Sequence, residues 1–133
     1  MTDRVEIFCV ILAGLSMQIA NANAETVSQQ MGEAFLRTMK HWNYSYSTLD
    51  TTKAGVACVR WEGIDPDFLN DGLFEAIGFS FSVANEEAAI RIATQGCERM
   101  SRHYEVTDCT CEVILVDDTV RVSLPDALTD WVT

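Results

Sequence analysis

The chain has few of the residues from which enzymatic sites are commonly built. Lysine occurs only at Lys40 and Lys53, and histidine only at His41 and His103. No G-x-G-x-x-G or G-x-x-x-x-G-K-[ST] loop is present, so no stretch of backbone amides is arranged to cradle a phosphate. A G-x-S-x-G turn, which would lift a serine nucleophile out of a strand, is also missing. Basic side chains are scarce overall, with 9 Lys and Arg against 20 Asp and Glu, a formal net charge of −11. Nucleic-acid binding requires basic patches that neutralise phosphates. Attraction to anionic membranes requires the same sign of charge. Neither partner is expected. There is no internal repeat and no low-complexity tract.

No apolar run approaches the roughly 20 residues that span a bilayer. The longest, Ile7 to Met17, has 11 residues and is followed by small residues ending in Ala22-Asn23-Ala24. A short apolar stretch with an A-x-A pattern behind it is the mark of a secretory signal. Residues 1–24 therefore read as a cleavable signal peptide, cut before Glu25, with a second option after Ala22. The start is unusual for such a segment, because Asp3 and Glu6 balance Arg4 and the terminal amine. With Arg4, Asp3 and Glu6 removed, the formal charge becomes −10. Residues 25–133 are short enough for one domain. The sequence thus predicts a periplasmic or secreted protein with no stable membrane anchor after cleavage.

Cysteine parity points to the same compartment. Cys9 lies in the apolar run and is lost on cleavage, leaving Cys58, Cys97, Cys109 and Cys111. An even count in a small exported chain predicts two disulfides. A zinc site is the rival, but it calls for C-x₂₋₄-C pairs or Cys with His at set spacings. Only one C-x-C is present, and no metal or cofactor is implied.

Helical spacing of Val27, Met31, Ala34, Phe35, Met39 and Trp42 predicts a helix from Glu25 to about Trp42. A polar loop follows from Asn43. Lys53–Trp61 alternates as a strand, with Val56 and Cys58 on one face and Ala57 and Val59 on the other. Gly63–Gly72 is turn-rich. Leu73–Ser82 predicts a second strand, in which Gly78 signals a bulge or a close backbone approach. Asn85 is a good N-cap for a helix from about Asn85 to Glu105, with Glu86 and Glu87 favouring its dipole. At 100° per residue, Ala89, Ile92, Ala93, Gly96, Met100, His103 and Tyr104 share one face. Cys111–Val116 predicts a strand, with Asp117-Asp118 turning it into Thr119–Val122. Pro125–Val132 predicts a short helix. The pattern gives an α+β fold: a small antiparallel or mixed sheet of three to four strands, one or two helices packed on it, stapled by disulfides.

Reach suggests the pairing. Cys97 sits 8 residues before Glu105, roughly 12 Å back along the helix, and the returning strand rises roughly 3.3 Å per residue. Cys111 comes level with Cys97 before Cys109 does, favouring Cys97–Cys111 and Cys58–Cys109. The swapped pairing is close behind, and Cys109–Cys111 is the most strained. The stretch Gly78-Phe-Ser-Phe-Ser, Glu-Glu-Ala-Ala, Cys97 and Cys111-Glu-Val resembles small exported bacterial proteins of unknown function. In these, an aromatic strand leads into an Ala-rich helix stapled to a Cys-x-Val strand. The resemblance covers about a third of the mature chain. It implies the Cys97–Cys111 pairing and a strand–helix–strand core, and no activity. Cys109 and the long Arg99–Asp108 spacer depart from it.

Asp65-Pro-Asp67-Phe-Leu-Asn70-Asp71-Gly72 starts like a calcium loop, but Leu69 and Ala76 stand where the EF-hand needs ligands. His41 and His103 are general bases in principle, as is a carboxylate pair from Glu62, Asp65 and Asp67, yet no catalytic set is assembled in the sequence. Trp42, Tyr44 and Tyr46 cluster in and beside a polar loop and, where exposed, form the candidate binding surface; the alternative is that the loop folds back and buries them. The reading that results is a non-enzymatic exported module that binds a protein or small molecule. The alternatives are a small envelope hydrolase or an acidic inhibitor of a basic enzyme.

Overall fold

Strand β1 (Ala54–Val59) is buried from end to end, so both of its faces are covered. The computed structural model describes residues 26–126 and Leu128. Helix α1 spans residues 26–41. After β1 come α2 (Pro66–Asp71), β2 (Ile77–Ser80), α3 (Glu86–His103), β3 (Thr110–Val116) and β4 (Thr119–Val120). The strands form one antiparallel sheet in the order β2-β1-β3-β4. This is the expected α+β fold, with three helices rather than one or two. Residues 28–123 form the main compact unit. Of the helix expected over Pro125–Val132, the Leu128 amide bonds to the Pro125 carbonyl at 3.0 Å, and most of the rest lies outside the described residues.

Small residues let both helices close on the sheet. Ala54, Val56 and Cys58 pack with Ala89, Ala93 and Cys97 of α3. The other face of β1 meets α1, where a Cβ at Gly55 would run into the Phe35 ring. On β2, a Cβ at Gly78 would overlap the Ala93 carbonyl oxygen and the Cys97 amide nitrogen. The backbones of β2 and α3 are therefore in direct contact, as Gly78 predicts. In β3, Val56 pairs with Val113 and Gly55 with Leu115, which leaves Ile114 as the extra residue of a bulge.

Three details differ from the sequence reading. The turn-rich Gly63–Gly72 contains α2, capped by Asp65, whose side chain accepts from the Phe68 amide, with Pro66 in the first turn. Arg37 of α1 holds its far end, donating to the Gly72 carbonyl from Nη2 at 2.8 Å and Nε at 3.0 Å. The buried stripe of α3 is Ala89, Ala93, Cys97 and Ser101, whereas Ile92, His103 and Tyr104 are exposed. Contact at Gly78 admits only a narrow ridge of small side chains, and the larger ones are turned outward. Tyr46 is buried, for reasons given next.

The polar loop folds onto the β3–β4 hairpin through a buried lysine. Lys53, 1% exposed, donates from Nζ to the Tyr46 and Leu49 carbonyls at 2.9 and 3.0 Å. It pairs with Asp118 at 3.1 Å and lies 4.6 Å over the Tyr46 ring. The Tyr46 hydroxyl donates to the Asp117 carbonyl at 2.7 Å, and its ring meets Phe35 edge-on. Three partners satisfy all three donors of the ammonium, so this lysine is a structural pin.

Candidate functional site

The turn after α1 sorts its aromatic residues by side. Asn43 has φ 66°, a left-handed conformation that asparagine tolerates better than most residues. The reversal leaves Trp42 and Tyr44 outside, 42% and 51% exposed, and sends Tyr46 inward at 2%. Tyr46 therefore does not belong to the surface group predicted with Trp42 and Tyr44.

Other elements supply further rings. Trp42 meets Tyr104, at the end of α3, with centroids 6.2 Å apart and planes inclined by 39°. Tyr44 packs on Phe79 of β2 at 5.0 Å, and Phe79 stacks towards Phe81 at 6.4 Å. Tyr104 and Phe81 are half exposed. Alternation on Leu73–Ser82 puts Phe79 and Phe81 on one face. That β2 is the sheet edge, where such a face stays open, could not be read from alternation. Tyr104 was missed because helical periodicity assigned it to the packed face of α3.

Trp42 and Tyr104 line a cleft with His41, Glu75 and Val106. Leu73, Phe74, Glu75 and Val106 form a wall shared with a second cleft, whose other side carries Arg60, Cys58 and Cys109. The second cleft holds about 120 Å³, room for a side chain rather than for a drug-sized ligand. Arg60 bridges its rim, gripping Glu75 with both nitrogens at 2.5 and 3.1 Å and Asp108 at 2.7 Å. These hydrogen bonds, Glu75 first, raise the pKa of the guanidinium.

The disulfides join Cys58 to Cys109 and Cys97 to Cys111, with Cα separations of 5.2 and 6.1 Å. That is the pairing favoured by reach. Among the described residues, the metal-ligating side chains that converge are Cys58, Cys97 and Cys111, with sulfurs within 4.8 Å of one another. As disulfides these sulfurs offer no thiolate to a metal.

His41 and His103 both lie at the surface, each edge-on to an aromatic neighbour. His41 shares its cleft with Glu75 and Tyr104, but Glu75 is engaged by Arg60. Among the described residues, neither imidazole has a side-chain hydrogen bond that would orient it as a base. In the Glu62–Asp71 segment, Asp65 serves as the cap of α2. Comparison of the chain with family profiles, curated proteins and solved structures finds no match.

Proposed function

We propose that the protein is an exported binding module that presents the aromatic surface around Trp42, Tyr44 and Tyr104 to a basic protein partner. The carrying observation is the half-exposure of these three large rings, Trp42 and Tyr44 just after α1 and Tyr104 at the end of α3, with Trp42 and Tyr104 in contact. Exposed aromatic clusters are characteristic anchors of interfaces. The formal net charge of −10 left after cleavage favours a partner of opposite sign and speeds its encounter. An acidic inhibitor of a basic enzyme is one form of the same reading. Export is supported by the signal pattern of residues 1–24, which lie outside the described residues, and by two disulfides. Among the described residues no helix is long and apolar enough to cross a membrane.

A photo-crosslinking amino acid at Tyr44 tests the surface in envelope extract. A discrete basic adduct is expected, weakened by high salt and lost in Trp42→Ser/Tyr104→Ser. An adduct indifferent to both changes, or none, would refute the reading. Intact mass of the exported protein tests the compartment: the chain should begin at Glu25 or Asn23 and be two hydrogens lighter for each disulfide.

A further inference from the structure

Cys58 has two cysteines within reach on the facing strand and is bonded to only one. Its Cα partner in the β1–β3 register is Cys111, yet its disulfide runs to Cys109, two residues earlier. Cys111 is bridged instead to Cys97 of α3, and the sulfurs of Cys58, Cys97 and Cys111 are within 4.8 Å of one another. Directly opposed residues of an antiparallel pair have Cα atoms about 4.5 or 5.5 Å apart. That lies inside the roughly 4.4–6.8 Å a disulfide spans. A Cys58–Cys111 bridge therefore fits the backbone as it stands.

Access is graded along the same cluster. Cys109 is partly exposed and borders both the Arg60 cleft and a second depression flanked by Glu98 and Arg102. Cys97 has no exposed surface and sits among Val56, Ala76 and Ala93. A neutral thiol is comfortable in such surroundings, because free cysteine is among the most buried of side chains.

We infer that the four cysteines form a thiol–disulfide exchange site whose substrates are dithiols reaching Cys109. The incoming thiolate attacks the Cys109 sulfur. A mixed disulfide forms there, the Cys58–Cys109 bond breaks, and the electron pair leaves on Cys58. The Cys58 thiolate then attacks Cys111: the Cys58–Cys111 bond forms, the Cys97–Cys111 bond breaks, and Cys97 departs with the electron pair and takes up a proton. The second thiol of the substrate closes on the mixed disulfide and releases Cys109, which is protonated in turn. The substrate dithiol becomes a disulfide. The protein exchanges two bridges for one, with thiols at Cys97 and Cys109. Reactivity in such exchange follows access and which sulfur is attacked, and both direct it through Cys109. This inference does not depend on the aromatic surface or its partner.

Limiting dithiothreitol on the full mature chain, followed by acid quenching, alkylation and peptide mapping, tests it. The two-electron-reduced protein should carry label at Cys97 and Cys109, with Cys58 bridged to Cys111. Label at Cys58 and Cys109, with Cys97–Cys111 intact, would overturn it. Cys109→Ser provides a second reading without any reductant. Its odd thiol should shift from Cys58 to Cys97, whereas a thiol found at Cys58 alone counts against the relay.

Discussion

Lys53 and Asp117 hold each other through two reciprocal bonds. The Lys53 amide donates to Asp117 Oδ1 at 3.0 Å, and the Asp117 amide returns a 2.8 Å bond to the Lys53 carbonyl. Asp117 adopts φ 50° to do so. The pair fixes the β3–β4 turn against the start of β1, and the Lys53 ammonium gathers the preceding loop onto it. Lys53→Met would strand the Tyr46 and Leu49 carbonyls and should cost about 2 to 4 kcal/mol. Urea unfolding measures this, and a loss below about 1 kcal/mol would mean that water replaces the ammonium.

Tyr46 links the same knot to pH. Burial, then the charges of Asp117 and Asp118, push its phenol pKa well above the usual range. In the unfolded chain the phenol ionises near pH ~10. Above that pH the unfolded state has lost a proton that the folded state retains, so stability falls as pH rises until the folded phenol also ionises. Below it, the contribution is fully present. One such group gives a slope of about 1.4 kcal/mol per pH unit. Tyr46→Phe should lose about 1 kcal/mol at neutral pH with its hydrogen bond and show a correspondingly shallower alkaline decline. Equal alkaline slopes in the two proteins would argue against this account.

Gly78→Ala should destabilise by at least about 1 to 3 kcal/mol. The added methyl meets backbone atoms of Ala93 and Cys97, which cannot rotate away. Gly63→Ala is the control, because a Cβ there touches only the Arg60 side chain, at 3.8 Å. Thermal unfolding that ranks the two variants equally would contradict the close approach of β2 and α3.

The bridges should differ in what their removal costs. Cys58–Cys109 closes a sequence separation of 51 and Cys97–Cys111 one of 14. Loop entropy alone then gives about 4 kcal/mol for the first and about 3 kcal/mol for the second. The paired alanine variants, Cys58→Ala/Cys109→Ala and Cys97→Ala/Cys111→Ala, measure this by urea unfolding. A loss under about 1 kcal/mol for either pair would mean that bridge does not restrain the unfolded chain.

Local rules carried β1, β3 and the cap of α3 well, since alternation and Asn85 act over a few residues. Of the strand expected over Leu73–Ser82, only Ile77–Ser80 forms, and of Thr119–Val122 only Thr119–Val120. Local rules failed where tertiary geometry chose between equivalent options. Ile92 and Tyr104 fit the periodicity of a packed face, but contact at Gly78 selects the ridge of Ala89, Ala93 and Cys97. Asp65 and Pro66 are helix-start signals that a short turn-rich segment concealed. Trp42, Tyr44 and Tyr46 look alike in sequence. The turn at Asn43 and the pull of Lys53 decide that Tyr46 faces in, and both involve chain reversals or partners far along the sequence.

The extra residue at Ile114 shifts the phase of β3 midway. Cys111 and Val113 face α3, while Leu115, opposite Gly55, approaches α1 near Gly32. Strict alternation would have sent Leu115 to the same side as Val113. The strand thus carries two independent side-chain frames, one for the sulfur cluster and one for the hairpin that receives Lys53. Loss of the residue at 114 would close the bulge and leave both frames on their present sides, with Val113 opposite Val56 and Leu115 opposite Gly55. Straightening the strand with 114 retained would instead turn Leu115 towards the wrong helix.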